Sequence, residues 1–229
     1  LLISRLSNMV QAPFAGILVD KAVSNPSQLP ALSGDFRLVI ASACLGTCLG
    51  ALLCPTFLTI ARHAIQRFYT GISFPRLLLK SLSIKTWYWV GCHLSFPHPK
   101  HWKNILKAIH PLPKDFLWLN IVVTAIYTIG VLCALYAGAC EPQFRATAIQ
   151  LSGIVNGLAT ILLTLVVDPT HARFTDQTMN GQLSIGALRA VVAWMLISRL
   201  IGTGIVAQLL FKPFSSYIQL ITVWLGTAL

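Results

Sequence analysis

Apolar residues along this chain come in long uncharged runs, not in the short alternating segments of a sheet. Leu38 to Ala61 gives 24 residues without a charge, Phe116 to Cys140 gives 25, and Ala146 to Val167 gives 22. A helix rises ~1.5 Å per residue, so ~20 residues cross a hydrocarbon core of ~30 Å. Lipid offers no hydrogen bonds to the backbone, which makes helix the default for each run. A membrane barrel needs segments of roughly ten residues with alternating polarity, and none is found. The pattern predicts a partial helix at 1–20, spans near 37–61, 116–139, 143–167 and 187–211, and a partial span at 213–229. Polar turns are expected at 21–36, with Pro26, Pro30 and Gly34, and at 168–186, with Asp168, Pro169, Asn180 and Gly181. The expected fold is an all-α polytopic membrane protein, one transmembrane domain built as a bundle of about five to six helices. The chain opens at Leu1 without an initiator Met and stops at Leu229, both inside apolar stretches. It is expected to lack its natural ends, with a further span before Leu1. Without a basic leading region or a small-residue cleavage site, the start does not read as a signal peptide.

Composition agrees: 55% of residues are hydrophobic and 10% charged, with a mean hydropathy of +0.73. Soluble domains carry roughly 25% charged residues. The net charge of +11 is concentrated, since Arg62 to Lys114 holds nine of the 17 Lys and Arg residues and no acid. The positive-inside rule assigns the basic segment 62–115 to the cytoplasm. Alternation then puts 21–36 and 139–143 outside and 168–186 inside. Within the segment, Phe68, Tyr69, Trp87, Tyr88, Trp89 and Trp102 mingle with Arg67, Arg76, Lys80, Lys100 and Lys103. Its uncharged run Thr86 to Pro99 is only 14 residues, too short to span. An amphipathic stretch with Trp and Lys lies in the headgroup plane and attracts anionic membrane lipids. It reads either as a loop that fixes topology or as a segment that also gathers an anionic lipid. The positive charge is explained by orientation, so nucleic acid is not an expected partner.

Six cysteines (Cys44, Cys48, Cys54, Cys92, Cys133 and Cys140) form no CxxC pair and read as small packing residues. His93, His98, His101 and His110 near Cys92 do not match zinc-ligand spacing, so no metal or cofactor is expected. No nucleophile–base pair, phosphate-cradling Gly loop or paired carboxylates can be argued, and the chain does not read as an enzyme. The informative residues are polar ones inside apolar spans. Arg5, Asn8 and Gln11 lie in the first segment, which Asp20 ends. Arg145 opens a span in which Ser152, Asn156 and Thr160 follow on its face. Arg199 sits within 187–211, with Thr203 one turn on and Gln208 beyond. A mid-span Arg costs ~2.5–3.5 kcal/mol, so such residues face a partner or a cavity. One reading is a buried network in which Asp20 or Asp168 pairs with an arginine. The other is a cavity for an anion, because Arg offers planar bidentate donors to phosphate and carboxylate. Leu2-Ile3-Ser4-Arg5-Leu6 also recurs as Leu196-Ile197-Ser198-Arg199-Leu200, as in transporters built from repeats.

Ser4-Arg5-Leu6-Ser7-Asn8-Met9-Val10-Gln11-Ala12-Pro13, followed by Gly16 and Asp20, resembles the first block of the Amj family of bacterial membrane proteins, alternate lipid II flippases. Arg145 to Gly153, with Asn156-Gly157 and Asp168-Pro169, is similar to a second block, and Arg199, Gly202 and Gln208 fit the C-terminal part. The resemblance implies translocation of lipid II, an undecaprenyl-pyrophosphate-linked disaccharide pentapeptide, across the bacterial inner membrane. It further implies that Arg5, Arg145 and Arg199 contact the pyrophosphate while Asn8, Gln11, Gln150 and Asn156 contact the headgroup. No nucleotide motif is present, which leaves the membrane potential or a proton gradient as the energy source, with Asp20 and Asp168 the titratable candidates for proton coupling. A non-transporting subunit that binds lipid or a partner protein, and a transporter of a smaller organic anion, remain as alternatives.

Overall fold

The computed structural model describes residues 2–69 and 113–228, together with Ser83, Tyr88, Gly91 and Cys92; side chains are described from Val10 onward apart from Ala64 and residues 67–69. Helices α1 (Leu2–Ser24) and α2 (Leu29–Tyr69) are joined by a single 3-10 turn at Pro26–Gln28. Then come α3 (Lys114–Cys140), a second 3-10 turn at Pro142–Phe144, and α4 (Arg145–Leu162). A widened π turn, Leu163–Val167, carries α4 directly into α5 (Asp168–Met179). Another, Gly202–Val206, carries α6 (Ile185–Ile201) into α7 (Ala207–Ala228). No strand occurs among the described residues. Four of the resulting rods are long and apolar enough to cross a membrane: Pro26–His63, Lys114–Cys140, Pro142–Met179 and Ile185–Ala228. This is a helical, multi-pass membrane protein. Most of the basic segment 62–115, and all of the histidines at 93, 98, 101 and 110, lie outside the described residues.

Three boundaries differ from the sequence reading. The polar turn expected at 21–36 contracts to Asn25–Gln28, because Pro30 falls in the first turn of α2, where its missing N–H would have had no partner anyway. Most of the turn expected at 168–186 is helical. Pro169 cannot donate to the carbonyl of Leu165, and the π turn that contains Leu165 absorbs the defect. Only the stretch around Gly181, whose φ is 73°, turns the chain before Ser184 caps α6 by accepting from the Ala187 N–H at 3.1 Å. The expected break at residue 212 is absent: Pro213 lies inside α7, and 187–211 and 213–228 form one continuous rod.

Helix α3 is the axis of the bundle. Val123, Ala125, Ile129, Cys133 and Ala134 are at most 1% exposed, and neighbouring helices cover them on several sides. Many apolar side chains of α2 and α4 point outward instead; Leu38, Leu45 and Phe57 of α2 and Ile154 of α4 are all more than 60% exposed, as lipid-facing residues are. Between lipid-like solvents there is little hydrophobic gain, so helices associate through close packing of small residues. Gly202, in the α6–α7 π turn, shows how close. A Cβ there would sit 2.6 Å from the Ile121 carbonyl oxygen of α3. Gly204 meets α2 in the same way, 2.7 Å from Cys44 Sγ.

Long-range contacts define two ends. At the turn end, Asp20 meets Arg145, Gln219 Nε2 donates to Glu141 Oε1 at 2.8 Å, and Gly226 packs on the Phe144 ring. At the far end, Phe116, Val167, Phe174, Val191 and Met195 form a separate apolar cluster. Thus α1, α3 and the α6–α7 rod run toward the turn end, while α2 and α4 run away from it.

Candidate functional site

Arg145 is the first residue of α4, positioned by the Pro142–Phe144 turn that reverses the chain after α3. Its stem lies over Gly138, where a Cβ would come within 3.3 Å of Arg145 Cγ. A cation at a helix N-terminus opposes the macrodipole, and a carboxylate one turn from the C-terminus of α1 gains nothing from it either. The two groups satisfy each other: Arg145 Nη2 donates to Asp20 Oδ1 in an ion pair. The pair is partly open, with side chains 32% and 61% exposed. Asp20 also lines a shallow groove of about 420 Å³ with Lys21, Ser24, Asn25 and Gln28. Charged and amide groups therefore converge at the turn end.

The structure divides the sequence-predicted site by depth. The Asn120 Nδ2 of α3 donates to Ser198 Oγ at 2.5 Å and to the Met195 carbonyl at 3.3 Å, which fixes the level of the neighbouring Arg199. Between Gly138 and Asn120 lie 18 residue steps, or ~27 Å along α3. Arg145 and Arg199 accordingly stand at opposite ends of the bundle, and one pyrophosphate cannot touch both at once. Arg5 is 15 steps before Asp20 in α1, ~22 Å deeper by rise, and so approaches the Arg199 end. The two LISRL segments thus lie in helices that run in the same direction. The side chains of Arg5 and Asn8 lie outside the described residues.

Arg199 is exposed and has no side-chain partner among the described residues. Thr203 does not accompany it, since its hydroxyl donates back to the Arg199 carbonyl at 2.9 Å. The polar stripe of α4 is likewise spent locally: Ser152 Oγ donates to the Ile149 carbonyl at 2.6 Å and Thr160 Oγ1 to the Asn156 carbonyl at 2.7 Å. Gln11 and Gln150 are exposed. Asn156 Oδ1 is buried against Gly130 of α3 without a hydrogen-bond partner. Asp168, at the start of α5, is exposed at the far end. No group of three metal-ligating side chains occurs among the described residues.

One polar residue escapes the sequence reading. In the pattern of charges, Arg37 of α2 only marks the end of an uncharged run. In the structure Gln208 turns to it, donating from Nε2 to the Arg37 carbonyl at 2.8 Å and accepting from Arg37 Nη1 at 3.4 Å. The Arg37 guanidinium carbon stands 5.9 Å from the centroid of the Phe211 ring, a cation–π arrangement. No local signal joins residues 171 positions apart.

Fold and site together define a class: a multi-pass α-helical membrane protein with cationic side chains at several depths of its bundle. A family model described as "Amj: Alternate to MurJ" matches residues 1–222, and the chain belongs to that family. The protein named lipid II flippase Amj of Bacillus subtilis (strain 168) is 37% identical over 224 residues, which cover 97% of this chain and 81% of that protein. No solved structure matches the chain.

Proposed function

We propose that this protein moves lipid II across the bacterial inner membrane and is a transporter, not an enzyme. The observation that carries the reading is the pair of arginines at opposite ends of α3, each open to its surroundings, in a chain 37% identical to a lipid II flippase. A pyrophosphate headgroup needs cationic donors where it leaves one face and where it reaches the other. Its polyprenyl tail can stay in lipid throughout. At the far end Arg199 and Arg5 meet the pyrophosphate. At the turn end Arg145 does, and the substrate displaces or shares Asp20, while Ser24, Asn25 and Gln28 answer the sugars and peptide. Gln11 and Gln150, exposed on α1 and α4, line the same path. Asp20 is the better placed of the two coupling candidates, since it pairs with Arg145, whereas Asp168 is exposed at the far end.

The far end, where segment 62–115 rejoins the bundle at Lys114, is the cytoplasmic one, and the basic segment gathers anionic lipids there. The test is growth of a bacterium depleted of its resident lipid II flippase. Expression of this protein is expected to sustain wall synthesis, and expression of a stably inserted Arg145→Ala or Arg199→Ala variant is expected to fail. Growth supported equally by both variants would overturn the mechanism.

A further inference from the structure

We infer that Arg37, Gln208 and Lys212 form an intermediate binding station for the pyrophosphate of a polyprenyl lipid, on the outer surface between α2 and α7. The inference rests on the lipid-pyrophosphate reading above and adds a site to it.

Its geometry starts from depth. Phe211, under the Arg37 guanidinium, packs on Tyr136 with ring centroids 5.8 Å apart, and its carbonyl accepts from Cys133 Sγ at 3.4 Å. Arg37 is therefore level with the 133–136 stretch of α3, below Gly138 at the Arg145 end and well above Asn120 at the Arg199 end. A headgroup passing between those ends meets this level. Arg37 is half-buried and has no carboxylate partner among the described residues. Asp35 stands two positions earlier, on another face of the helix.

The bonding is incomplete in a way that suits an anion. A guanidinium has five N–H donors, and among the described residues only one of Arg37's is engaged, in the 3.4 Å contact to Gln208. Gln208 is itself held by its bond to the Arg37 carbonyl, which makes it a positioning residue for the guanidinium. Lys212 follows Gln208 by four residues and shares its helix face, exposed and without a partner among the described residues. The neighbours toward the outside are lipid-facing: Leu38 is 69% and Leu209 71% exposed. A diphosphate can enter from the side with its tail still in the bilayer. Two cations, one of them bidentate, match two phosphoryl groups better than one.

The experiment measures binding of undecaprenyl pyrophosphate and of undecaprenyl monophosphate to the purified protein in phosphatidylcholine nanodiscs. The wild type is expected to prefer the pyrophosphate. Arg37→Gln is expected to lose about tenfold in pyrophosphate affinity and most of the preference, with only a small fall in thermal stability from the lost Phe211 and Gln208 contacts. Arg37→Lys and Lys212→Gln are expected to fall between. A merely structural role would move stability and leave the preference alone. Undiminished preference in Arg37→Gln overturns the station while leaving the flippase reading intact. If that variant does not fold, undiminished preference in both Arg37→Lys and Lys212→Gln overturns it. A wild type that binds neither lipid overturns the parent reading and the station with it.

Discussion

A methyl group added at Gly202 should loosen the bundle at its axis, and the size of the effect can be worked out. The added Cβ would stand 2.6 Å from the Ile121 carbonyl oxygen and 3.2 Å from Thr124 Cβ. The nearest obstacle is backbone of a buried helix, which cannot rotate away. Overpacking of this kind costs ~1–3 kcal/mol. Replacing Gly by Ala in a helix also returns ~1 kcal/mol of propensity, which would hide part of the loss. Gly157, within α4, supplies the control, because a methyl group there would meet nothing within 4 Å. Both substitutions carry the propensity gain, so the difference between Gly202→Ala and Gly157→Ala isolates the clash at ~1–3 kcal/mol. Gly204→Ala should fall between them, since it meets only Cys44 Sγ, the free end of a side chain. Denaturation in one detergent, followed by tryptophan fluorescence for all three variants, gives the order. If Gly202→Ala proves as stable as Gly157→Ala, the close α3–α6 approach is wrong.

Other outcomes follow from the same contacts. Asp20→Asn should lower stability by no more than ~1 kcal/mol, because the Arg145 pair is partly exposed, and thermal denaturation would show a larger loss if the pair were instead a structural keystone. Asn120→Leu should cost no more than ~1 kcal/mol: it loses the two interhelical bonds from Nδ2, to Ser198 Oγ and the Met195 carbonyl, but removes the buried Oδ1 that has no partner among the described residues, while Ser198 keeps its own bond to Met195. With the other five cysteines replaced by Ser, Cys92, exposed in the basic segment, should be labelled by an impermeant maleimide in inverted vesicles and not in intact spheroplasts. Labelling from the outside would reverse the orientation proposed for the whole bundle.

The helical membrane class is legible in the sequence because uncharged run length is a one-dimensional property that lipid imposes directly. Boundaries are less so. Pro30 and Pro169 read as parts of polar turns, and Pro213 opens what reads as a separate span, yet one falls in a first turn, one beside a π turn and one within an unbroken rod. Propensity cannot foresee a backbone defect absorbed by a widened turn. Among the site residues, Arg145 and Asp20 both stand out in the sequence, and their pairing is one of the two readings it leaves open. Nearness in sequence attaches Gln208 to Arg199, whereas its side chain turns to Arg37 of another helix. The depth separation of Arg145 and Arg199 also depends on which residues of α3 they adjoin, and no local pattern records that.

Translocation of lipid II is measured most directly as its transfer between leaflets. Purified protein would be reconstituted into phosphatidylcholine vesicles holding fluorescently tagged lipid II, with an impermeant quencher added outside. Quenching should proceed past the outer-leaflet fraction in vesicles with wild-type protein, and slow when Arg145 or Arg199 is replaced by Ala. Quenching that halts at the outer-leaflet fraction, as in protein-free vesicles, would rule out translocation by this protein.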